Sequence, residues 1–84
     1  MDEQRTNRLR RLFYQASYTG MKETDLLLGH FAKAHLFDLT DRQLDDFEAL
    51  LAAGDDRIHA WVMGSEPLPA SHDTDVFHLI KNFK

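Results

Sequence analysis

The chain contains no cysteine, and its 84 residues include only four glycines and two prolines. Without thiols it has neither disulfide staples nor thiolate metal ligands, which suits a reducing compartment. Packing must therefore supply a net stability of roughly 4 to 10 kcal/mol at this length. No apolar run approaches the roughly 20 residues that a membrane span requires, so no direct membrane insertion is expected. No charged, then apolar, then small-residue pattern opens the chain, and it reads as unexported. Asp2 and Glu3 also oppose reading the arginine-rich start as a mitochondrial transit peptide, a class poor in acids.

Catalytic signatures are missing too. Ser17, Ser65 and Ser71 lie in no GxSxG context and beside no evident base. Gly20-Met21-Lys22 is not a phosphate-cradling loop, which needs several glycines or a glycine before Lys-Ser/Thr. Of the five histidines, His30 and His35 stand about 140° apart on a helix, and no HExxH pair occurs. No metal site is expected; the imidazoles read as surface or half-buried groups, with His35 and His72 placed to hydrogen-bond helix ends.

What is present is a 43% hydrophobic composition with six phenylalanines and one tryptophan, too rich for disorder and enough for one small core. A single domain over residues 1–84 is expected. The net charge of −4 is unevenly spread: Arg5, Arg8, Arg10, Arg11 and Lys22 outnumber Asp2 and Glu3 in residues 1–22. Residues 38–56 carry Asp38, Asp41, Asp45, Asp46, Glu48, Asp55 and Asp56 against Arg42 alone. With a pI near 5.6, that acidic segment would repel a phosphate backbone, so no nucleic acid is expected as partner.

Helical periodicity recurs along the chain. Leu9, Leu12, Phe13 and Ala16 share one stripe of a first helix. A second runs over about residues 21 to 35, where Leu27, Leu28, Phe31 and Ala32 make a stripe that Leu26 widens, as in a central helix covered from several sides. Thr40 with Gln43 has the form of a capping box opening a third helix, buried through Leu44, Phe47, Leu50 and Leu51. Gly54 reads as its left-handed cap, and Asp55 or Asp56 as cap of a short fourth helix with Ile58, Trp61 and Val62 inward. Pro67 and Pro69 make residues 64–70 an extended connector. A last helix then follows Asp73 or Thr74 with Val76, Leu79, Ile80 and Phe83 inward. The sum is an all-α, five-helix bundle.

The corner between the first two helices is the feature that packing alone leaves unexplained. Gly20 serves as terminator of one helix or entry to the next, but Tyr18, Thr19, Met21 and Lys22 have no evident core position. Such a corner offers a partner bare backbone among adaptable side chains. Glu23 falls in a first helical turn, where the dipole favours a charged carboxylate, suited either to capping its own helix or to accepting hydrogen bonds from a partner.

Gly20-Met21-Lys22-Glu23, continuing as Thr24-Asp25-Leu26-Leu27-Leu28-Gly29 and Phe31-Ala32, resembles the Arg-Gly-x-x-Glu region of the SdhE family of succinate dehydrogenase flavinylation and assembly factors, small five-helix proteins. The likeness runs from about residue 8 to residue 83 and includes Leu12-Phe13-Tyr14, the Leu44 to Leu51 helix, Asp55 to Trp61 and Val76 to Ile80. It implies an assembly factor, not a conventional enzyme, located in the bacterial cytoplasm. Its partner would be the flavoprotein subunit of succinate dehydrogenase or fumarate reductase, and the factor would promote covalent attachment of FAD to a histidine of that subunit. FAD would belong to the partner, with none bound stably by the factor. Gly20 and Glu23 would be the motif residues of the binding surface, which also takes in Thr19, Tyr18, Met21, Lys22, Arg8 and Arg11. Alignment of the reacting groups can supply several kcal/mol without a catalytic side chain, so a rigid wedge would suffice. The alternative is a general helical protein–protein adaptor without a flavin role. A monomer is expected, with exposed apolar groups at the corner leaving room for a weak dimer.

The family motif has arginine where this chain has Thr19, a loss of one cation and a five-donor guanidinium. Coexpression of the flavoprotein with the Thr19→Arg variant is expected to give stronger in-gel flavin fluorescence than coexpression with the unmodified chain. Equal signals would show that the guanidinium hardly matters.

Overall fold

Each apolar stripe has to be covered by another, and the computed structural model, which describes residues 3–18 and 20–83, shows how five helices do so. They are α1 (Glu3–Ser17), α2 (Lys22–His35), α3 (Asp41–Ala52), α4 (Asp55–Met63) and α5 (Asp75–Lys81). Single 3₁₀ turns cover Leu36–Asp38 and Ala70–His72, and no strand occurs among the described residues. The all-α, five-helix expectation holds.

α2 is the central helix, touching α1, α4 and α5 as well as the Leu36–Asp38 turn. Leu28, Phe31 and Ala32 on it are fully buried. The Phe31 ring packs 6.0 Å from Phe47 of α3 and edge-on at 5.8 Å from Phe83, beyond α5. His35 joins this group through ring contacts with Phe31 and Phe83, and His72 packs against Trp61 at 5.1 Å, so both imidazoles are held by aromatic faces. The chain thus uses them as flat packing surfaces for its ends.

The capping box forms as the sequence predicts: Thr40 Oγ1 accepts from the Gln43 amide and Gln43 Oε1 from the Thr40 amide. Thr74, one of the two predicted caps, accepts from the Phe77 amide at the start of α5. Asp55 Oδ1 accepts from the Asp56 amide at the start of α4.

Several inward positions differ from the pattern. In α5 the buried residues are Val76, Phe77 and Ile80, with Leu79 half exposed. In α2, Leu26 is half exposed and Thr24 is buried instead, its hydroxyl directed at the Met21 sulfur. In α1, Phe13 lies at the margin of the core with 37% of its surface exposed. Leu51 and Val62 pack at the core's edge, partly buried. Gly54 has φ 99° and ψ 154°, an extended mirror-side conformation, and caps the start of α4; the left-handed helix end is at Gly64.

Replacing Thr40 by alanine leaves the Gln43 amide, in the first turn of α3, without its acceptor. Urea denaturation is expected to show a loss of about 1 kcal/mol; an unchanged midpoint would contradict the cap's contribution.

Candidate functional site

α1 ends where Ser17 turns its hydroxyl back to the Phe13 carbonyl. The Tyr18 amide reaches the Gln15 carbonyl at 3.3 Å just before the corner. Gly20 then takes φ +105°, which L side chains rarely adopt, and Met21 is extended before its carbonyl accepts from the Asp25 amide to open α2. The positive φ is what allows two helices to meet with so few residues between them.

A second constraint acts on the same residue. A Cβ placed on Gly20 would stand 3.2 Å from Asp55 Oδ2, at the start of α4. Asp55 thus braces the corner from outside. Further along, Gly29 of α2 faces Ser17, whose Oγ would lie 3.4 Å from an added Cβ. α1 and α2 therefore approach closely just behind the bend.

Of the candidate residues, the structure brings Tyr18, Gly20, Met21, Lys22 and Glu23 together at this corner, while Thr19 lies outside the described residues. Gly20, Lys22 and Glu23 are exposed, and Tyr18 is 70% exposed. Glu23 makes no hydrogen bond or ion pair among the described residues, and Met21, at the N-cap of α2, receives no side-chain cap. Self-capping by Glu23 is thus not used, and the carboxylate stands ready for an external donor. Met21 is half-buried, its sulfur over the Thr24 hydroxyl, so only part of it faces outward.

Arg8 and Arg11 belong to a different environment. Arg8 Nη2 donates to Asp45 at 2.6 Å and to Glu48 at 3.1 Å, and Arg11 Nη2 donates to Glu48 at 3.1 Å. Arg5 extends the row to Asp41 and to the Leu39 carbonyl. The Asp45 hydrogen bond, opposed by desolvation and supported by Glu48, raises the Arg8 pKa above its ordinary value. These exposed pairs contribute little stability each but fix α1 against α3. They also set the basic run of the sequence against its acidic run, which shortens the reach of the molecule's field.

Gln15, Tyr18, Glu48, Gly54 and Asp55 line an open depression of about 360 Å³ beside the corner. Sequence reasoning missed Asp55 as a neighbour of Gly20, because nothing local links residues 35 positions apart in the chain. It also missed Tyr14, whose ring centroid lies 4.7 Å from that of Tyr18. The one-turn spacing of these two tyrosines was the available signal. Among the described residues no group of His, Asp and Glu side chains converges as a metal site would require, and no helix is long and apolar enough to cross a membrane. The corner can therefore present backbone, a carboxylate, an ammonium and a phenol to another macromolecule.

Comparison with known proteins gives this corner a context. Residues 10–84 match a protein family described as the flavinator of succinate dehydrogenase. The succinate dehydrogenase assembly factor 2, mitochondrial, of Dictyostelium discoideum is 37% identical over 73 residues, covering 87% of this chain and 52% of the relative. That of Mycosarcoma maydis is 44% identical over 68 residues, covering 81% of this chain and 29% of the relative. Assembly factor 2-B of Drosophila melanogaster is 35% identical over 82 residues, covering 95% of this chain and 53% of the relative. The chain thus spans about half the length, or less, of these relatives. Each relative is named as mitochondrial, which overturns the expectation of a bacterial cytoplasmic protein. That expectation was what the resemblance to the SdhE family implied, with Asp2 and Glu3 read against a transit peptide; the absence of cysteine does not distinguish one reducing compartment from another.

Gly20→Ala forces a Cβ into the positive-φ conformation and toward Asp55. A loss of about 1–2 kcal/mol is expected in chemical denaturation, with helical circular dichroism retained. Unchanged stability would mean that the corner relaxes freely.

Proposed function

The chain belongs to the succinate dehydrogenase flavinator family, and from that premise we propose that it is an assembly factor whose α1–α2 corner docks on the flavoprotein subunit of succinate dehydrogenase, or of the related fumarate reductase, and promotes covalent flavin attachment there. The observation that carries the assignment to this corner is the exposed Gly20 at φ +105° with Glu23, unpaired among the described residues, three positions later. Bare backbone permits close approach, and a carboxylate with no partner among the described residues offers its acceptor capacity to charge-assisted hydrogen bonds.

In this reading the factor works by placement. The flavin supplies the electrophilic ring, and it stays with the flavoprotein. The factor's part is to hold the partner's acceptor histidine and flavin site in register, an effect that needs no nucleophile or acid of its own. Tyr18 and the outward part of Met21 cover apolar area at the contact, and Lys22 sits at its rim. Thr19 supplies a hydroxyl where the family motif has a guanidinium. Arg8 and Arg11 stand at the α3 margin and act with the N–H groups that Asp45 and Glu48 leave unused.

The test is direct binding to the purified flavoprotein subunit together with in-gel flavin fluorescence after coexpression. Gly20→Arg is expected to abolish binding while leaving helix content unchanged, and Glu23→Gln to weaken it by about tenfold or more. Normal binding by the Gly20→Arg variant would refute the assigned surface.

A further inference from the structure

The outer side of α1 carries an aromatic surface that the fold does not use. Tyr14 is 66% exposed, Tyr18 70% and Phe37, from the 3₁₀ turn after α2, 66%. With Leu9 and Phe13 they line an open groove of about 480 Å³, and its polar lining is limited to Arg10, Ser17 and the phenols. Large apolar groups scattered singly need no explanation, but a contiguous set lining one groove marks a contact surface.

Two observations say what covers it. The first is charge. Arg5, Arg8 and Arg11 are all engaged with α3 carboxylates, whereas Arg10, which points to the groove, makes no hydrogen bond or ion pair among the described residues. Among the described residues no carboxylate lines the groove, so the surface pairs apolar walls with one cation. The second is continuity. Tyr18 lines this groove and also the depression lined by Asp55, the neighbour of Gly20, so the two surfaces meet at one side chain.

We propose that this groove is a second docking element for the same flavoprotein partner, and that it takes an apolar segment bearing an acidic side chain, the carboxylate meeting Arg10 and the apolar groups meeting Tyr14, Tyr18 and Phe37. The proposal rests on the function assigned to the corner. A larger contact of this kind fixes orientation as well as affinity, because a second contact beside the first removes rotation about it. Buried aromatics and arginine are the residue types that dominate such contacts.

Binding of the purified flavoprotein subunit by Tyr14→Ser, Phe37→Ser and Arg10→Glu variants tests it, with circular dichroism confirming the fold. These side chains are exposed, so the variants are expected to remain helical. Each is expected to weaken binding by about tenfold, and Arg10→Gln to reduce the loss of affinity that salt causes in the unmodified chain. If Gly20→Arg abolishes binding while all three groove variants bind normally, the groove proposal falls and the corner assignment stands. If the groove variants abolish self-association, measured by sedimentation, without weakening flavoprotein binding, the groove serves a second copy of this chain and the proposal is overturned. If the unmodified chain does not bind the subunit, both readings fall together.

Discussion

Phe31 is the point around which the molecule is built. It sits in the middle of α2, its ring meets rings from α3 and from the end of the chain, and none of its surface reaches water. A chain of this length can enclose only one such centre, so the helix that owns it must be covered on most sides. That requirement drives the ends of α2 outward. One end becomes the corner at Gly20, and the other breaks into the 3₁₀ turn that carries Phe37.

The ion pairs between α1 and α3 follow from this arrangement. Once α1 lies along α2, three of its arginines face the acidic helix α3, and Arg10 is left on the other side. The sequence shows only that cations cluster early and anions later. Read as a bare charge distribution, it suggests a strongly polar molecule; folded, much of that polarity is closed upon itself. Arg10, Lys22 and Glu23 are among the charges that keep no internal partner among the described residues.

Periodicity made the helices legible, together with the capping box at Thr40 and the inward roles of Leu12, Leu28, Phe47 and Ile58. The corner was legible as well, because a glycine between two amphipathic stretches has few other uses. What escaped was decided by neighbours distant in sequence. In α5, inward sets containing Leu79 or Phe77 both satisfy the helical period over seven residues, and only packing against α2 and α3 selects Phe77. Thr24 gives no hydrophobic signal, yet it is buried because the Met21 sulfur covers its hydroxyl. The roles of Asp55 as a brace and of Tyr14 and Phe37 as an unused aromatic surface depend on which helices come together. Compartment was not legible at all, since the residues that decide it need not belong to the folded part.

The positive dihedral at Gly20 and the nearby Asp55 carboxylate bear on how this chain can change over generations. Every amino acid reachable from a glycine codon by a single base substitution carries a Cβ, so each missense step there meets the same two obstacles, an unfavourable backbone angle and an occupied space. Met21, with an extended backbone at φ −107°, faces no such backbone barrier and can drift in character while the bend itself stays fixed. Missense variants at this codon accordingly share a cost in stability, whichever residue replaces the glycine.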